Sequence, residues 1–150
     1  MADNAEKTEN TIAAECIAVR LRMLNRVITR IYDDALRPLG LRASQLNILV
    51  ATARLGVARP AELCQRLQLE VSTLSRNVER MKANGWLEVV PADDGRAQPF
   101  RLTRKGRSLL ERAKPKWDEA QVQAKDLLGE QAFDTIEEAA QRVRARNLKP

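Results

Sequence analysis

Histidine is absent from the 150 residues, and cysteine occurs only twice, at Cys16 and Cys64. The imidazole ring is the commonest general base and metal ligand in proteins, and without it no serine or cysteine can form the usual nucleophile and base pair. No spacing of carboxylates or lysines indicates another catalytic arrangement. The sequence therefore predicts a protein that is not an enzyme and that carries no metal or cofactor.

Aromatic residues are also scarce, at 3% of the chain against 44% for all hydrophobic residues. The core must then be built from Leu, Val, Ile and Ala, which is typical of helical proteins. The chain lacks an apolar run of transmembrane length and a signal-peptide pattern. A length of 150 residues suits one domain with appended helices. We expect a mainly α-helical, cytoplasmic protein with reduced thiols and no membrane partner.

Positive charge is abundant and unevenly distributed. The formal net charge is +6. Residues 41–104 hold ten Lys and Arg against six Asp and Glu, so this middle segment carries +4 of the total. A basic segment favours a polyanionic partner, and the alternative is a charged surface that only promotes solubility.

One stretch, residues 70–84, combines a packing face with a polar face. Its apolar residues Val71, Leu74, Val78 and Met81 recur at steps of three and four, which predicts a helix with one buried side. Small hydroxylated and basic side chains of this kind can reach base edges and phosphates in a DNA major groove. The alternative is an ordinary surface helix with a solvated face. The candidate DNA-reading residues on its other faces are Ser72, Thr73, Ser75, Arg76 and Arg80.

The segment before this helix supports the DNA-reading interpretation. Residues 59–67 predict a short helix that starts with Pro60 at its first position, where a missing N–H costs nothing. Residues 68–71 then turn the chain directly into the next helix. Two short helices joined by a tight turn form a helix-turn-helix.

The segment after Gly85 predicts a β-hairpin. Residues 86–90 and 100–103 are rich in strand formers and flank strong turn signals. A hairpin directly after a recognition helix is the wing of a winged helix, and Arg96 at its tip can insert into a minor groove with Asp94 placed to orient it. The alternative is a surface hairpin whose charged residues only solvate the turn.

Apolar stripes at both ends of the chain predict helices that extend beyond this DNA-binding segment. Residues 10–38 are predicted to form one continuous helix after a flexible N terminus at 1–9. Two further helices are predicted over 104–147, the first capped by Thr103. A small domain cannot cover these apolar faces, so we expect a twofold dimer in which they pair. The single chain is thus divided into dimerisation helices at 10–38 and 104–147 and a winged-helix lobe at 41–103.

These features together resemble the MarR family of bacterial transcription regulators, over roughly residues 10–147. The most specific part is the wing tip, Asp-x-Arg, followed at the family's distance by Leu-Thr-x-x-Gly. The residues that carry the resemblance are Leu39-Gly40-Leu41 with Gln45 and Leu49, Glu62-Leu63 with Leu67, Leu69 to Arg76, Arg80-Met81, Asn84-Gly85-Trp86-Leu87, Asp94-Gly95-Arg96, Leu102-Thr103, Lys105-Gly106 and Leu109-Leu110.

The resemblance implies a mainly α winged helix-turn-helix protein that regulates transcription as a homodimer on a pseudo-palindromic operator in double-stranded DNA. It further implies a ligand-responsive repressor, with a small anionic or phenolic effector bound between the dimerisation helices and the DNA-binding lobe. The chain departs from the family at Arg42 and Arg59, where a capping Thr is frequent. We expect Arg42, Arg59 and Arg101 to contact DNA phosphates.

Two alternatives from other functional classes stay open at this stage. The first is a thiol-based redox sensor acting through Cys16, since hydroperoxide-sensing members of the family carry a reactive cysteine in the first helix with tyrosine partners. Aligning on Leu39-Gly40 places the expected position near Ala18, and Tyr32 is the only tyrosine. Burial in the apolar stripe is the other interpretation of Cys16. The second alternative is a winged-helix protein-interaction module that has lost DNA binding.

Overall fold

The computed structural model describes residues 2–92 and 98–147. Over these two ranges the chain forms seven α-helices and one two-stranded antiparallel sheet, which confirms the predicted mainly α class. A short 3-10 turn, Arg37–Leu39, separates the second and third helices. The elements are α1 (Ala2–Glu15), α2 (Ile17–Leu36), α3 (Ala43–Leu55), α4 (Pro60–Leu67), α5 (Val71–Ala83), β1 (Leu87–Val89), β2 (Phe100–Leu102), α6 (Arg104–Leu128) and α7 (Glu130–Asn147).

The helix-turn-helix predicted from the sequence is present as α4 and α5. Pro60 is the first residue of α4, as its missing N–H allows. Gln68 ends α4 in the left-handed conformation with φ 51°, which turns the chain sharply into α5. Leu74, Val78 and Met81 are buried, so the apolar face of α5 packs on the lobe as predicted.

The predicted wing is also present, and its base is anchored to the lobe. β1 and β2 pair antiparallel with Leu87 opposite Leu102. The N–H of Phe100 donates to the carbonyl of Ala58 at 3.0 Å, and the N–H of Ala58 donates to the carbonyl of Phe100 at 2.8 Å. This pairing fixes β2 against the segment between α3 and α4.

The hydrophobic core lies within the lobe and extends to the ends of the long helices. It is enclosed by α3, α4, α5 and the hairpin, with the C-terminal end of α2 and the first half of α6 closing it. Its largest fully buried side chains are almost all aliphatic, as the scarcity of aromatic residues predicts. They are Leu36, Leu41, Ile48, Leu49, Leu63, Leu74, Met81 and Phe100.

The prediction of one continuous helix over 10–38 is wrong, because the chain breaks at Cys16. Cys16 has extended backbone angles, φ −66° and ψ 108°, between α1 and α2. Its N–H still donates to the carbonyl of Ile12 at 3.0 Å, and its own carbonyl accepts from the N–H of Arg20 at 3.3 Å. The Arg20 guanidinium also donates to the carbonyl of Ala14, where a cation is favourable at the end of α1. The apolar periodicity continues across this break and therefore does not reveal it.

The first part of α1, residues 2–9, was not predicted to be helical, because the sequence lacks apolar periodicity there. Helix formers such as Ala5, Glu6 and Lys7 favour it locally, and every side chain described from 4 to 15 is exposed. The structure thus has a helix in most of 1–9, where we expected a loose segment. The flexibility of these residues and the domain boundaries stay predictions.

Helix α3 is capped by a residue of α2 that the sequence did not indicate. A carboxylate oxygen of Asp33 accepts the N–H of Ala43 at 2.8 Å. The Gln45 side chain accepts the N–H of Arg42 at 3.1 Å. Two of the N–H groups that a helix start leaves unpaired are thereby satisfied, and the Arg42 side chain stays exposed.

Helix α6 begins in close contact with the exit of α5. The predicted cap is confirmed, since the Thr103 hydroxyl oxygen accepts the N–H of Gly106 at 3.0 Å and the hydroxyl donates to the carbonyl of Gly85 at 2.6 Å. A Cβ atom at Gly106 would lie 2.2 Å from the carbonyl oxygen of Trp86. Only glycine allows α6 to approach this closely.

The two longest helices, α2 and α6, pack against each other. The Tyr32 hydroxyl donates to the side-chain oxygen of Gln121, which joins the two helices through a polar contact. Burial raises the pKa of the Tyr32 hydroxyl. Tyr32 therefore stays a neutral donor at physiological pH.

Only part of the apolar stripes predicted for the terminal helices lies on the surface of the single chain. The stripe of α6 is largely buried, at Leu109, Ala113, Ala120 and Ala124. None of the side chains described in α7 is buried, and α7 contacts α6 near their connection, where the Lys125 ammonium lies 4.3 Å from the Phe133 ring centre. No helix in the described ranges is long and apolar enough to cross a membrane. The exposed large apolar residues of these helices are Ile12, Ile17, Val19, Leu21, Met23, Val27, Val122, Leu127, Ile136 and Val143.

Replacing Thr52 by valine is expected to raise the free energy of unfolding by about 1 kcal/mol. Thr52 is fully buried, and its hydroxyl lacks a hydrogen-bond partner among the described residues. Valine has the same shape and removes the unpaired hydroxyl. Chemical denaturation measures the difference, and Thr135→Val is the control because the Thr135 hydroxyl is exposed and already bonded to the carbonyl of Gln131. A loss of stability in Thr52→Val would contradict the prediction.

Candidate nucleic-acid interface

The polar face of α5 is exposed, as the sequence predicts, with one exception. Ser72, Ser75, Arg76 and Arg80 are exposed, whereas Thr73 is half-buried. Ser72, Arg76 and Arg80 follow one another at steps of four and so form a row along one side of the helix. The structure brings the two hydroxyls and Arg76 together on the first two turns of α5.

Hydrogen bonds to the helix backbone orient two side chains of α5. The Nε atom of Arg76 donates to the carbonyl of Ser72 at 3.2 Å, which holds the guanidinium along the start of the helix. The Nδ2 atom of Asn77 donates to the carbonyl of Thr73 at 3.1 Å. The terminal nitrogens of Arg76 remain available for a bidentate contact with a base or phosphate.

The start of α5 favours an anion. No acidic residue lies in its first turn, and the first N–H groups of a helix carry partial positive charge. The first residue, Val71, is 70% exposed. The sequence placed Val71 on the packed face, which is wrong because a residue at the very start of a helix has no preceding turn to cover it.

The three predicted phosphate contacts are exposed but lie in different environments. Arg42 and Arg59 are the N-cap residues of α3 and α4, and neither side chain forms a cap. Arg101 on β2 pairs with Glu88 on β1, its Nε atom 2.6 Å from the carboxylate. To contact DNA, Arg101 would have to exchange the Glu88 carboxylate for a phosphate. The assignment of all three arginines to phosphates stays a prediction.

The predicted wing-tip residues Asp94 and Arg96 lie outside the described residues. The hairpin is described up to Ala92 and again from Gln98. The N–H of Val90 donates to the carbonyl of Pro99 at 2.8 Å, so the strands stay paired beyond β1 and β2. The assignment of Arg96 to a minor groove stays a prediction.

The structure does not place the predicted thiol switch beside a tyrosine of the same chain. Cys16 is a half-buried free cysteine at the break between α1 and α2. Tyr32 lies about 24 Å further along α2 by helix rise and is bonded to Gln121. The redox role of Cys16 stays a prediction.

Comparison with known proteins identifies proteins that resemble this chain. A model described as the MarR family matches residues 39–97. The multiple antibiotic resistance protein MarR of Salmonella typhimurium is 30% identical over 90 residues, which cover 59% of this chain and 62% of that protein. The matched part thus spans less than two thirds of this curated relative.

Solved structures match over more of the chain. The Mycobacterium tuberculosis transcriptional regulator MosR, in complex with DNA, is 32% identical with a TM-score of 0.74, over 89% of this chain and all of that one. A mutant MarR from Escherichia coli, complexed with operator DNA, has a TM-score of 0.78 over 89% of this chain and 96% of that one. Its identity of 22% supports the fold alone.

Proposed function

The chain belongs to the MarR family, and we propose that it is a sequence-specific DNA-binding transcription regulator. Proteins of this family are transcription regulators rather than enzymes. The observation that carries the proposal is the start of α5, where Ser72, Ser75 and Arg76 are exposed opposite a buried apolar face. This helix is displayed by a helix-turn-helix with a wing beside it.

In this proposal the first two turns of α5 enter the major groove. Arg76 reads a guanine edge or clamps a phosphate, and the hydroxyls of Ser72 and Ser75 bond to bases or to the backbone. Val71 adds an apolar contact suited to a thymine methyl group. Arg80 and the first N–H groups of the helix hold phosphates, and Arg96 enters the flanking minor groove.

The regulator acts as a homodimer on a pseudo-palindromic operator. The uncovered apolar residues of α1, α2, α6 and α7 support pairing with a second copy. Two recognition helices must then lie about 34 Å apart to reach successive major grooves on one face of the duplex. A small anionic or phenolic effector, as the family resemblance implies, would release the DNA by favouring a spacing of the lobes that does not match the operator.

Arg76→Ala and Arg96→Ala are each expected to weaken operator binding by about tenfold or more, because each removes a charged contact with DNA. The operator is first selected from random genomic fragments, and a mobility-shift series then gives the affinities. The control is Arg142→Ala, since Arg142 lies on α7 and pairs with Glu138. Unchanged affinity in both test variants, with dimers intact by light scattering, would contradict the assignment, and absence of any DNA binding by the parent protein would contradict the function.

A further inference from the structure

A row of arginines lies on α2, outside the helix-turn-helix. Residues 17–30 of this helix hold four arginines and no carboxylate, whereas residues 2–15 hold four carboxylates and one lysine. The two segments nearly cancel in the total for residues 1–40, which contain six basic and six acidic side chains. The positive charge of α2 therefore becomes visible only when α1 and α2 are considered as separate helices.

Three of these arginines form one line on the exposed side of α2. Arg22, Arg26 and Arg30 follow one another at steps of four, and all three are exposed. Leu24 and Ile28, each two residues after an arginine, are half-buried. Two residues correspond to a rotation of about 200°. The arginine row, Arg22, Arg26 and Arg30, therefore points away from the packed side of the helix.

The arginine row lacks a carboxylate partner in the described part of the chain. None of its guanidinium groups forms an ion pair with a residue of the two described ranges. Asp34 lies four residues after Arg30, but its carboxylate pairs with Arg37. The Asp33 carboxylate accepts the N–H of Ala43 instead. Like charges four residues apart destabilise a helix, so a polyanion lying along the row would remove this repulsion.

The row leads to a part of the lobe that is predicted to contact DNA. Arg26 and Arg30 line one groove together with Arg42, the residue that precedes α3. Arg42 is exposed and is one of the three predicted phosphate contacts. From there the basic surface continues along α2 toward Ile17 and Val19, which are exposed near the start of the helix. This apolar end is where a second copy is proposed to pack.

The spacing along the row suits an extended polyanion better than a single small anion. Neighbouring arginines are separated by about 6 Å along the helix axis, and the row spans about 12 Å. Duplex DNA carries one phosphate per about 3.4 Å of each strand. A DNA backbone that follows the row would therefore meet an arginine at about every second phosphate. Each guanidinium can donate two parallel hydrogen bonds to phosphate oxygens.

We propose that the arginine row binds the phosphate backbone of the operator between its two half-sites. This inference rests on the proposed DNA-binding dimer, in which α2 of each copy runs from its lobe toward the twofold axis. The two recognition helices occupy the major grooves of the half-sites. The row of each copy faces the central segment that they leave uncovered. Because its contacts are to phosphates, the row adds affinity without reading the sequence.

Arg26→Ala and Arg30→Ala are each expected to weaken operator binding by about threefold or more in mobility shifts at about 0.15 M salt. Each should also lower the slope of log affinity against log salt by about 1.8, since a dimer loses two phosphate contacts worth about 0.9 each. Arg20→Ala is the matched control and should change the slope by less than about 0.5. Arg20 is an exposed cation on another side of the same helix, where it donates to the carbonyl of Ala14.

Neutral methylphosphonate linkages locate the contact on the DNA. Placed between the half-sites, they should weaken binding of the parent protein by about tenfold. The double variant Arg26→Ala/Arg30→Ala should lose less than about twofold on the same DNA, because its contacts there are already absent. Linkages placed outside the half-sites should affect the parent protein and the double variant equally. Circular dichroism confirms that each variant is folded.

Three results of these measurements would overturn the inference: an unchanged salt slope in both single variants, an equal fall in Arg20→Ala, or equal sensitivity of the parent protein and the double variant to the central linkages. Variants that become monomers in light scattering would also overturn it, since the row would then bind the acidic α1 of the second copy. All four results leave operator binding by the parent protein intact. Only absence of DNA binding by the parent protein would contradict the proposed function.

Discussion

Gly106→Ala is expected to lower the free energy of unfolding by about 3 kcal/mol, the upper end of the usual cost of overpacking. A methyl group at this position would lie 2.2 Å from the carbonyl oxygen of Trp86 and 3.4 Å from the Leu102 side chain. The carbonyl belongs to the backbone and cannot rotate away. The start of α6 would have to move off the wing base, which disturbs the cap that Thr103 provides. For 150 residues this loss corresponds to about 10 °C in the melting temperature.

The control is Arg107→Ala, which leaves an alanine one residue further along the same helix at an exposed position, where nothing packs against it. Thermal unfolding followed by circular dichroism compares the two variants with the parent protein. If Gly106→Ala melts within about 2 °C of the control, the close approach of α6 to the wing does not limit stability.

Leu127→Glu and Ile136→Glu are each expected to weaken dimerisation by about a thousandfold or more. These side chains are 59% and 45% exposed in the single chain, on α6 and α7. In the proposed twofold dimer each substitution places a carboxylate twice in an apolar interface, and burying each charge costs several kcal/mol. Operator affinity should fall by about a hundredfold or more, since a monomer reaches one half-site.

Val50→Glu is the control for this experiment, because Val50 is 43% exposed on α3, within the lobe. It introduces the same charge on an apolar surface outside the proposed interface. Light scattering at a series of concentrations gives the mass of each variant. Intact dimers in both Leu127→Glu and Ile136→Glu would show that the exposed faces of α6 and α7 do not hold the dimer together.

Local patterns explain the parts of the fold that the sequence predicted. The helices α5 to α7 follow from apolar residues at steps of three and four, α4 follows from Pro60 at its first position, and the hairpin follows from strand formers on both sides of a turn. Thr103 was recognisable as a cap because its partner, Gly106, lies only three residues away. These signals depend on neighbours along the chain, which the sequence displays directly.

The missed features depend on contacts between distant segments. Asp33 caps α3 from α2 across the intervening turn, and no capping pattern covers a spacing of this kind. The break at Cys16 has neither Gly nor Pro beside it, so the usual signals are lacking. Val71 fitted the apolar period and is nevertheless exposed, because only the folded chain shows that nothing packs over it.

The candidate sites also differ in whether their residues are close together in the sequence. Ser72, Ser75 and Arg76 lie within one helical turn of each other, so the sequence was sufficient to group them. A cleft between the turn after α2, the exit of α5 and the start of α6 combines Leu39, Trp86 and Arg112 from separate segments of the chain. Neither the spacing nor the composition of the chain indicates that these residues meet.

The hydrogen bond from the N–H of Ala43 to the Asp33 carboxylate couples the position of α3, and so of the lobe, to the angle of α2. Asp33 lies near one end of the helix, about 24 Å from its start at Ile17 by helix rise. If α2 tilted by about 5° around Ile17, Asp33 would move by about 2 Å. The first turn of α3, which is bonded to Asp33, would move with it. In the proposed dimer, a small change in the angle of α2 would therefore move the start of α3 by a larger distance, and with it the helices proposed to contact DNA.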